Sequence, residues 1–268
     1  MNLLAGTDNM EFGWLLCTWI PYLRWISCKY EKVVIVTSNF NLKYLYADFA
    51  NEYVHQSPKI IGNGDMWFAS RFPNVLPRIY WKIKKQYSGY KIKEPCEKYC
   101  MSDSKQFFQY GKKLDNDIKY DVVIHARKET KYGQDNLNYQ PEKYEILLRK
   151  LRAENNKLSV ISIGTRKGSF WVKGTECGRD MPVRNLCYLL ANAKVCVGTS
   201  SGPMHLASLC GTPHVVLTGN KKLKSIKGTN RDRYERLWNP FNTPCTVLDE
   251  HNWHPPVKLV EEAVRKYL

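Results

Sequence analysis

No stretch of this chain is long and apolar enough to span a bilayer. The two longest uncharged runs are Phe12 to Leu23, which is too short, and Val195 to Asn220, which Gly, Pro and polar residues interrupt. Met1 to Met10 has neither a basic start nor a cleavage site, so no export signal is expected. No low-complexity segment or internal repeat is visible. The nine cysteines are odd in number and scattered, several of them inside apolar runs. That pattern speaks against a disulfide framework and for reduced thiols in a cytoplasm, which would be a host cytoplasm if the chain is viral. Cys96 and Cys100 lie one helical turn apart with no second ligand pair, so no metal site is expected. Acidic residues are also scarce. Twenty-five of them face forty-one Lys and Arg, leaving a net charge of +16 in 268 residues. Both halves of the chain are basic, which suits a polyanionic partner such as nucleic acid or an anionic membrane surface.

What is present is an alternation of apolar runs and helical patterns long enough for two compact lobes. Asn2 to Ala5 reads as an opening strand, followed by the turn Gly6-Thr7-Asp8-Asn9. A helical pattern over Trp14 to Ile26, interrupted by Pro21, leads to a second buried strand at Lys32 to Val36. A second lobe opens with the strand Asp121 to His125. It continues through a helix at Pro141 to Ala153, a strand at Leu158 to Ile163, and a loop and helix at Asp180 to Leu190. The division expected is an amino-terminal lobe over 1–118 and a carboxy-terminal lobe over 119–268. The last helix, Pro256 to Leu268, is able to cross back.

The most informative stretch is Val195 to Asn220, within the second lobe. It reads as a strand, a turn of Thr199, Ser200, Ser201 and Gly202, a helix beginning near Pro203, a stop at Gly211 and a strand at Val215 to Leu217. Such a turn at a helix N-terminus is an anion site, because free N–H groups and the helix dipole both favour negative charge. His205, early in the helix, is placed to add a hydrogen bond or positive charge. The plain alternative is an ordinary βαβ crossover.

Ser-Gly-Pro-Met-His-Leu-Ala followed by Gly-Thr-Pro resembles the donor-site motif of heptosyltransferase-type glycosyltransferases (glycosyltransferase family 9-like) of the GT-B fold. The resemblance covers about residues 121–220 well and 1–40 in outline. It implies an α/β protein with two Rossmann-like lobes and an interlobe active-site cleft, in which the turn and helix hold the diphosphate of a UDP-, GDP- or ADP-linked sugar. Such enzymes usually need no metal or other cofactor. On this reading Ser200, Ser201, Gly202, Met204 and His205 bind the donor. His125-Ala126-Arg127, with Lys128 beside it, resembles the phosphate-contacting motif of several fucosyltransferase-like GT-B enzymes. Gly164, Thr165 and Arg166 are expected to border the nucleoside. Two positions depart from the family: Ser200 stands where it usually has Asp, and Trp14 stands after Phe12-Gly13 where a catalytic acid usually follows Leu-Gly.

Inverting transfer needs a base within reach of the acceptor hydroxyl. Glu11 and Asp8 are the nearby carboxylates. Glu11 is preferred because it borders the helix start, although a first-turn carboxylate favoured by the helix dipole reads the same way. Met66 to Lys93 holds seven Lys or Arg and no acid, interleaved with aromatics. Trp67, Arg71, Arg78, Trp81, Lys84 and Lys85 are its candidate acceptor contacts, since cations track phosphates while aromatic faces stack. An amphipathic helix with packed aromatics is the plain alternative. A second basic run follows Gly219, from Lys221 to Lys227 and on to Arg231, Arg233 and Arg236. The acceptor expected first is DNA carrying hydroxymethylated bases, as for a phage DNA glycosyltransferase. A cell-envelope glycan or glycolipid, with peripheral binding to an anionic membrane, is the rival. A non-catalytic nucleic-acid or nucleotide-binding protein is the third reading.

Overall fold

The computed structural model describes residues 1–7, 11–56, 79–95, 106–111, 120–128, 137–220 and 228–268. They form two compact units, Met1–Phe108 and Gln109–Leu268.

The first unit is built on a parallel four-stranded sheet. Its strands are β1 (Asn2–Gly6), β2 (Lys32–Thr37), β3 (Glu52–His55) and β4 (Lys91–Lys93), in the order β3-β2-β1-β4. β1 and β2 are apolar runs buried on both faces, as inner strands of a covered parallel sheet should be. Between them the chain is helical from Phe12 to Ser27, ending in α1 (Ile20–Ser27). The expected break at Pro21 is absorbed rather than made. Leu15–Trp19 takes π geometry, and Pro21 follows it in the first turn of α1, so the helical run continues past the proline. Trp19 is fully buried and its indole donates to Gly6 O at 2.9 Å, which ties the helix to the end of β1. A short helix, α2 (Trp81–Gln86), precedes β4.

The second unit has six parallel strands: β5 (Val122–His125), β6 (Val160–Gly164), β7 (Glu176–Arg179), β8 (Val195–Thr199), β9 (His214–Leu217) and β10 (Cys245–Leu248). Their order is β10-β9-β8-β5-β6-β7. Counted from β5 this is the doubly wound order 3-2-1-4-5-6, so the strand order reverses between β5 and β8. The longer helices of this unit among the described residues are α3 (Pro141–Glu154), α4 (Val183–Ala191), α5 (Gly202–Leu209) and α6 (Val257–Arg265). Leu147, Leu148 and Leu151 of α3 share one apolar core with Val260, Ala263 and Val264 of α6 and with Val122, Val195 and Val215 of the strands. Arg265 on α6 donates to Lys150 O at 3.1 Å, so the last helix is docked on α3.

The strands β7 and β10 were not expected from the sequence. Both are short edge strands that bury few side chains. Ile146 of α3 is exposed.

Candidate functional site

Ligands of open α/β sheets bind beyond the carboxyl ends of the strands, where the order reverses. Here that point lies between β5 and β8, which pair in parallel with His125 opposite Gly198. Parallel pairing brings the segments after β5, β6, β8 and β9 to one end of the sheet. Those segments begin with Ala126-Arg127, Thr165-Arg166, Ser200-Ser201 and Thr218-Gly219.

The two serines after β8 are bound differently. Ser201 Oγ donates to Thr199 O at 2.8 Å, which uses its only hydrogen. Its 2.9 Å contact with His125 Nδ1 is therefore donated by the ring. His125 is 96% buried, with a pKa lowered to about 3 by burial and then by the charge of Arg127. The imidazole is neutral and carries its hydrogen on Nδ1. So weak a base does not take a proton from an acceptor hydroxyl near neutral pH.

The N–H groups of the turn are largely committed, contrary to the expectation that they lie free. Ser200 N–H goes to Leu217 O at 2.9 Å, Ser201 N–H to the Tyr234 phenol oxygen at 3.0 Å, and Met204 N–H to Ser201 O at 3.1 Å. Pro203 has none. Only the Gly202 N–H has no such partner recorded among the described residues. Ser201 is the N-cap residue of α5, yet its hydroxyl makes no cap bond, because Thr199 and His125 hold it.

Arg127 supplies permanent charge at this point. Its guanidinium donates to Asn138 Oδ1 at 3.1 Å, Leu137 O at 2.6 Å and Ser200 O at 2.9 Å, all of them neutral oxygens. It also lies 5.1 Å from the centre of the Trp253 ring. Trp253 and Asn252 both have positive φ, 76° and 44°, which Asn adopts readily and which is strained for a bulky Trp.

The other expected donor contacts divide. Gly164 closes β6 at φ 116°; a Cβ there would stand 2.6 Å from Ser169 Oγ and 3.0 Å from His125 Cδ2, so the residue lets that loop close onto His125. Thr165 serves its own turn, its hydroxyl accepting Gly168 N–H at 2.9 Å. Arg166 is exposed and paired with Asp180 at 3.1 Å, and Lys128 is exposed with its ammonium 5.4 Å from the centre of the Phe170 ring. Met204 does not face a ligand. It is fully buried, with Cys196 Sγ 3.8 Å from its sulfur. Nor is His205 a cation. It is 96% buried, its ring stacks on Tyr234 at 4.3 Å and meets Trp238 edge-on, and burial holds its pKa well below 6.5. Its Nδ1 is enclosed without a hydrogen-bond partner.

Tyr234 and Trp238, which pack on His205 and, for Tyr234, bond the serine turn, were not anticipated from the sequence. They lie in and just after a π-helical segment, Arg233–Leu237, which continues a helical turn, Asn230–Asp232, whose start is fixed by a capping box between Thr229 and Asp232. Of the second basic run, 221–227 lies outside the described residues, Arg231 pairs with Asp249 and Glu235, and Arg236 pairs with Asp232.

In the first unit, Glu11 is the exposed N-cap residue of the helical run, and its carbonyl accepts Leu15 N–H at 2.9 Å. Asp8 lies outside the described residues, as do Trp67, Arg71 and Arg78. Trp81 is 64% exposed, so it is not the packed aromatic of the plain alternative. Lys85 is exposed, and Lys84 pairs with Glu94 at 2.9 Å. Among the described residues no His, Cys, Asp and Glu cluster is arranged to hold a metal, seven cysteines are free thiols, and no helix is long and apolar enough to cross a membrane.

Gly198 carries the packing of the site. A Cβ there would meet His125 O at 2.6 Å and Met204 Sδ at 2.9 Å. Gly198→Ala must part β8 from β5 or displace α5, an overpacking that costs about 1–3 kcal/mol. Urea unfolding of the variant should register that loss, and an unchanged midpoint would show that the strand pair has slack.

The model of glycosyltransferase family 9 (heptosyltransferase) matches residues 172–253, a segment containing β8, the serine turn, α5, Tyr234 and Trp253. Solved structures match the whole chain at low identity. The glycosyl transferase family 9 protein of Veillonella parvula DSM 2008 is 10% identical with a TM-score of 0.58, covering 99% of this chain and 95% of its own. E. coli ADP-heptose lps heptosyltransferase II is 12% identical with a TM-score of 0.58, at 100% and 98% coverage. E. coli heptosyltransferase WaaC, solved with ADP-2-deoxy-2-fluoro heptose, is 10% identical with a TM-score of 0.59 and full coverage of both chains. No curated protein matches the chain by sequence. The fold is therefore the two-lobed α/β architecture of GT-B glycosyltransferases. The segment that matches the family 9 pattern lies on the second sheet, and over that segment the chain resembles the heptosyltransferase group.

Proposed function

We propose that the chain moves a sugar from a nucleotide diphosphate donor to a hydroxyl of a glycan or glycolipid, with inversion at the anomeric carbon. The observation that carries this reading is the position of the family 9 pattern. It includes the β8 side of the strand-order reversal, where Arg127 reaches Ser200 O. The acceptor oxygen attacks the anomeric carbon as the bond from that carbon to the diphosphate oxygen breaks, and the electron pair leaves on the diphosphate. Arg127, Ser200 and the Gly202 N–H stabilise that charge, each hydrogen bond to a charged group being worth about 1.5–3 kcal/mol. A carboxylate of the amino-terminal unit, Glu11 or Asp8, takes the acceptor's proton. The donor is linked through UDP, GDP or ADP, the protein's own cations serve in place of a metal, and the reaction runs in a cytoplasm, at a membrane face where the acceptor is lipid-linked.

A DNA acceptor is the second reading. It is favoured by the net charge of +16 and by exposed Trp81 beside exposed Lys82 and Lys85 on α2, and it draws no support from the family pattern. A transfer assay with a panel of nucleotide sugars decides between the two, using a lipid-linked glycan and hydroxymethylated duplex DNA as acceptors. Product mass on the glycan is expected. Product on DNA alone would replace the acceptor, and nucleotide binding without transfer or donor hydrolysis would favour a non-catalytic nucleotide-binding protein.

A further inference from the structure

The two serines of the turn differ in what their hydroxyl hydrogens have left to do. Ser201 has given its hydrogen to Thr199 O. Ser200 has not. The Tyr234 phenol donates to Ser200 Oγ at 3.0 Å, so that oxygen is already an acceptor, and among the described residues its own hydrogen has no acceptor. The same phenol oxygen receives the Ser201 backbone N–H at 3.0 Å. One tyrosine thus closes the turn through the backbone and orients the neighbouring hydroxyl. Arg127 holds the other end of Ser200, through its carbonyl at 2.9 Å.

Tyr234 is itself rigidly placed. It is fully buried, and its ring lies 7° from parallel to the His205 ring at 4.3 Å. Its backbone is carried by the π-helical turn in which Trp238 N–H reaches back five residues to Arg233 O at 2.7 Å. Such turns re-aim the side chains they carry, and here the result is a phenol pointed across thirty-four positions of sequence at Ser200.

We infer that Tyr234 is a positioning residue that makes Ser200 the hydroxyl donor to an oxygen of the bound nucleotide's diphosphate. This rests on the nucleotide-sugar reading above. It also accounts for the departure at position 200. A carboxylate there would accept the phenol's hydrogen equally well, but it would have no hydrogen to offer an anion and would repel it, whereas serine has one.

The test is calorimetric titration of the full chain with ADP and UDP, comparing wild type, Ser200→Ala, Ser200→Thr, Tyr234→Phe and the Ser200→Ala/Tyr234→Phe pair. Loss of a hydrogen bond to a charged oxygen predicts a fall of about tenfold or more in affinity for Ser200→Ala, largely restored by Thr. Tyr234→Phe keeps the ring stack and should weaken binding by a similar factor, with the double variant no weaker than the worse single one, because the two act through one contact. Wild-type binding with Ser200→Ala unaffected would overturn the inference alone, as would losses that multiply in the double variant. Absence of binding by wild type to either nucleotide would overturn the donor-site reading and the inference together. Should Tyr234→Phe lose its fold by circular dichroism, the Ala and Thr variants at Ser200 still decide, since affinity unchanged in both refutes the assigned donor.

Discussion

Lowering the pH from 7.5 to 5.5 should remove about 4 kcal/mol from the stability of the carboxy-terminal unit, roughly 1.4 kcal/mol for each of three buried histidines. His125, His205 and His214 are all at least 96% buried. Burial lowers the pKa of His125 to about 3 and of His214 to about 4, and holds His205 well below its ordinary value of 6.5. In the unfolded chain each takes up a proton near pH 6.5, while in the folded unit none does until the pH is much lower. Stability is therefore fully present above about pH 6.5 and is lost as the pH falls toward the folded values. The geometry agrees with the direction. His214 Nδ1 contacts Thr212 O at 3.0 Å while its Nε2 is enclosed without a partner, and His205 Nδ1 is enclosed likewise. A proton added at either atom is a buried donor with nothing to receive it. Urea unfolding at pH 7.5, 6.5 and 5.5 measures the slope, and His214→Gln should remove about a third of it by the same linkage. A change below about 1 kcal/mol over that range would mean that the histidines reach solvent in the folded state.

These histidines also mark where the sequence was legible and where it was not. The frame of the second unit could be read because its inner strands are continuous apolar runs and its helices carry apolar residues at helical spacing. The edge strands β7 and β10 could not, because Glu176-Cys177-Gly178-Arg179 and Cys245-Thr246-Val247-Leu248 each bury a single residue fully and carry little of that pattern. The serine turn was found from its small residues, and the orientation of its groups was not. His205 read as an early helical residue open to a phosphate, yet α5 also carries Met204, Leu206, Ala207 and Leu209, apolar on all sides. A helix of that composition is buried all round, and that signal was available. Tyr234 left no such trace. Its role depends on a π-helical turn and on a phenol that meets Ser200 only in three dimensions, and no local spacing encodes either. In the first unit, the helical pattern over Trp14 to Ile26 was readable and the bond of Trp19 to Gly6 O was not.

Arg127→Ala should lower affinity for ADP or UDP by about 10- to 100-fold and destabilise the carboxy-terminal unit by about 1–3 kcal/mol. Both losses are expected because the guanidinium has two kinds of work. Its bonds to Leu137 O, Asn138 Oδ1 and Ser200 O tie the segment after β5 to the one preceding α3 and to the serine turn. Removing it leaves those oxygens short of a partner in a half-buried place and frees the Ser200 carbonyl that helps to orient the turn. It also removes a permanent positive charge from the point where the strand order reverses. Arg127→Lys separates the two contributions. An ammonium keeps the charge but cannot span three acceptors set around a planar fork. If the charge alone matters, Lys should restore most of the affinity while the stability loss remains. If the fork matters, Lys should recover neither, and the bonds that aim Ser200 make this the expected result. Nucleotide titrations and urea unfolding on the same preparations give both readings, and full affinity in Arg127→Ala would remove this residue from the donor site.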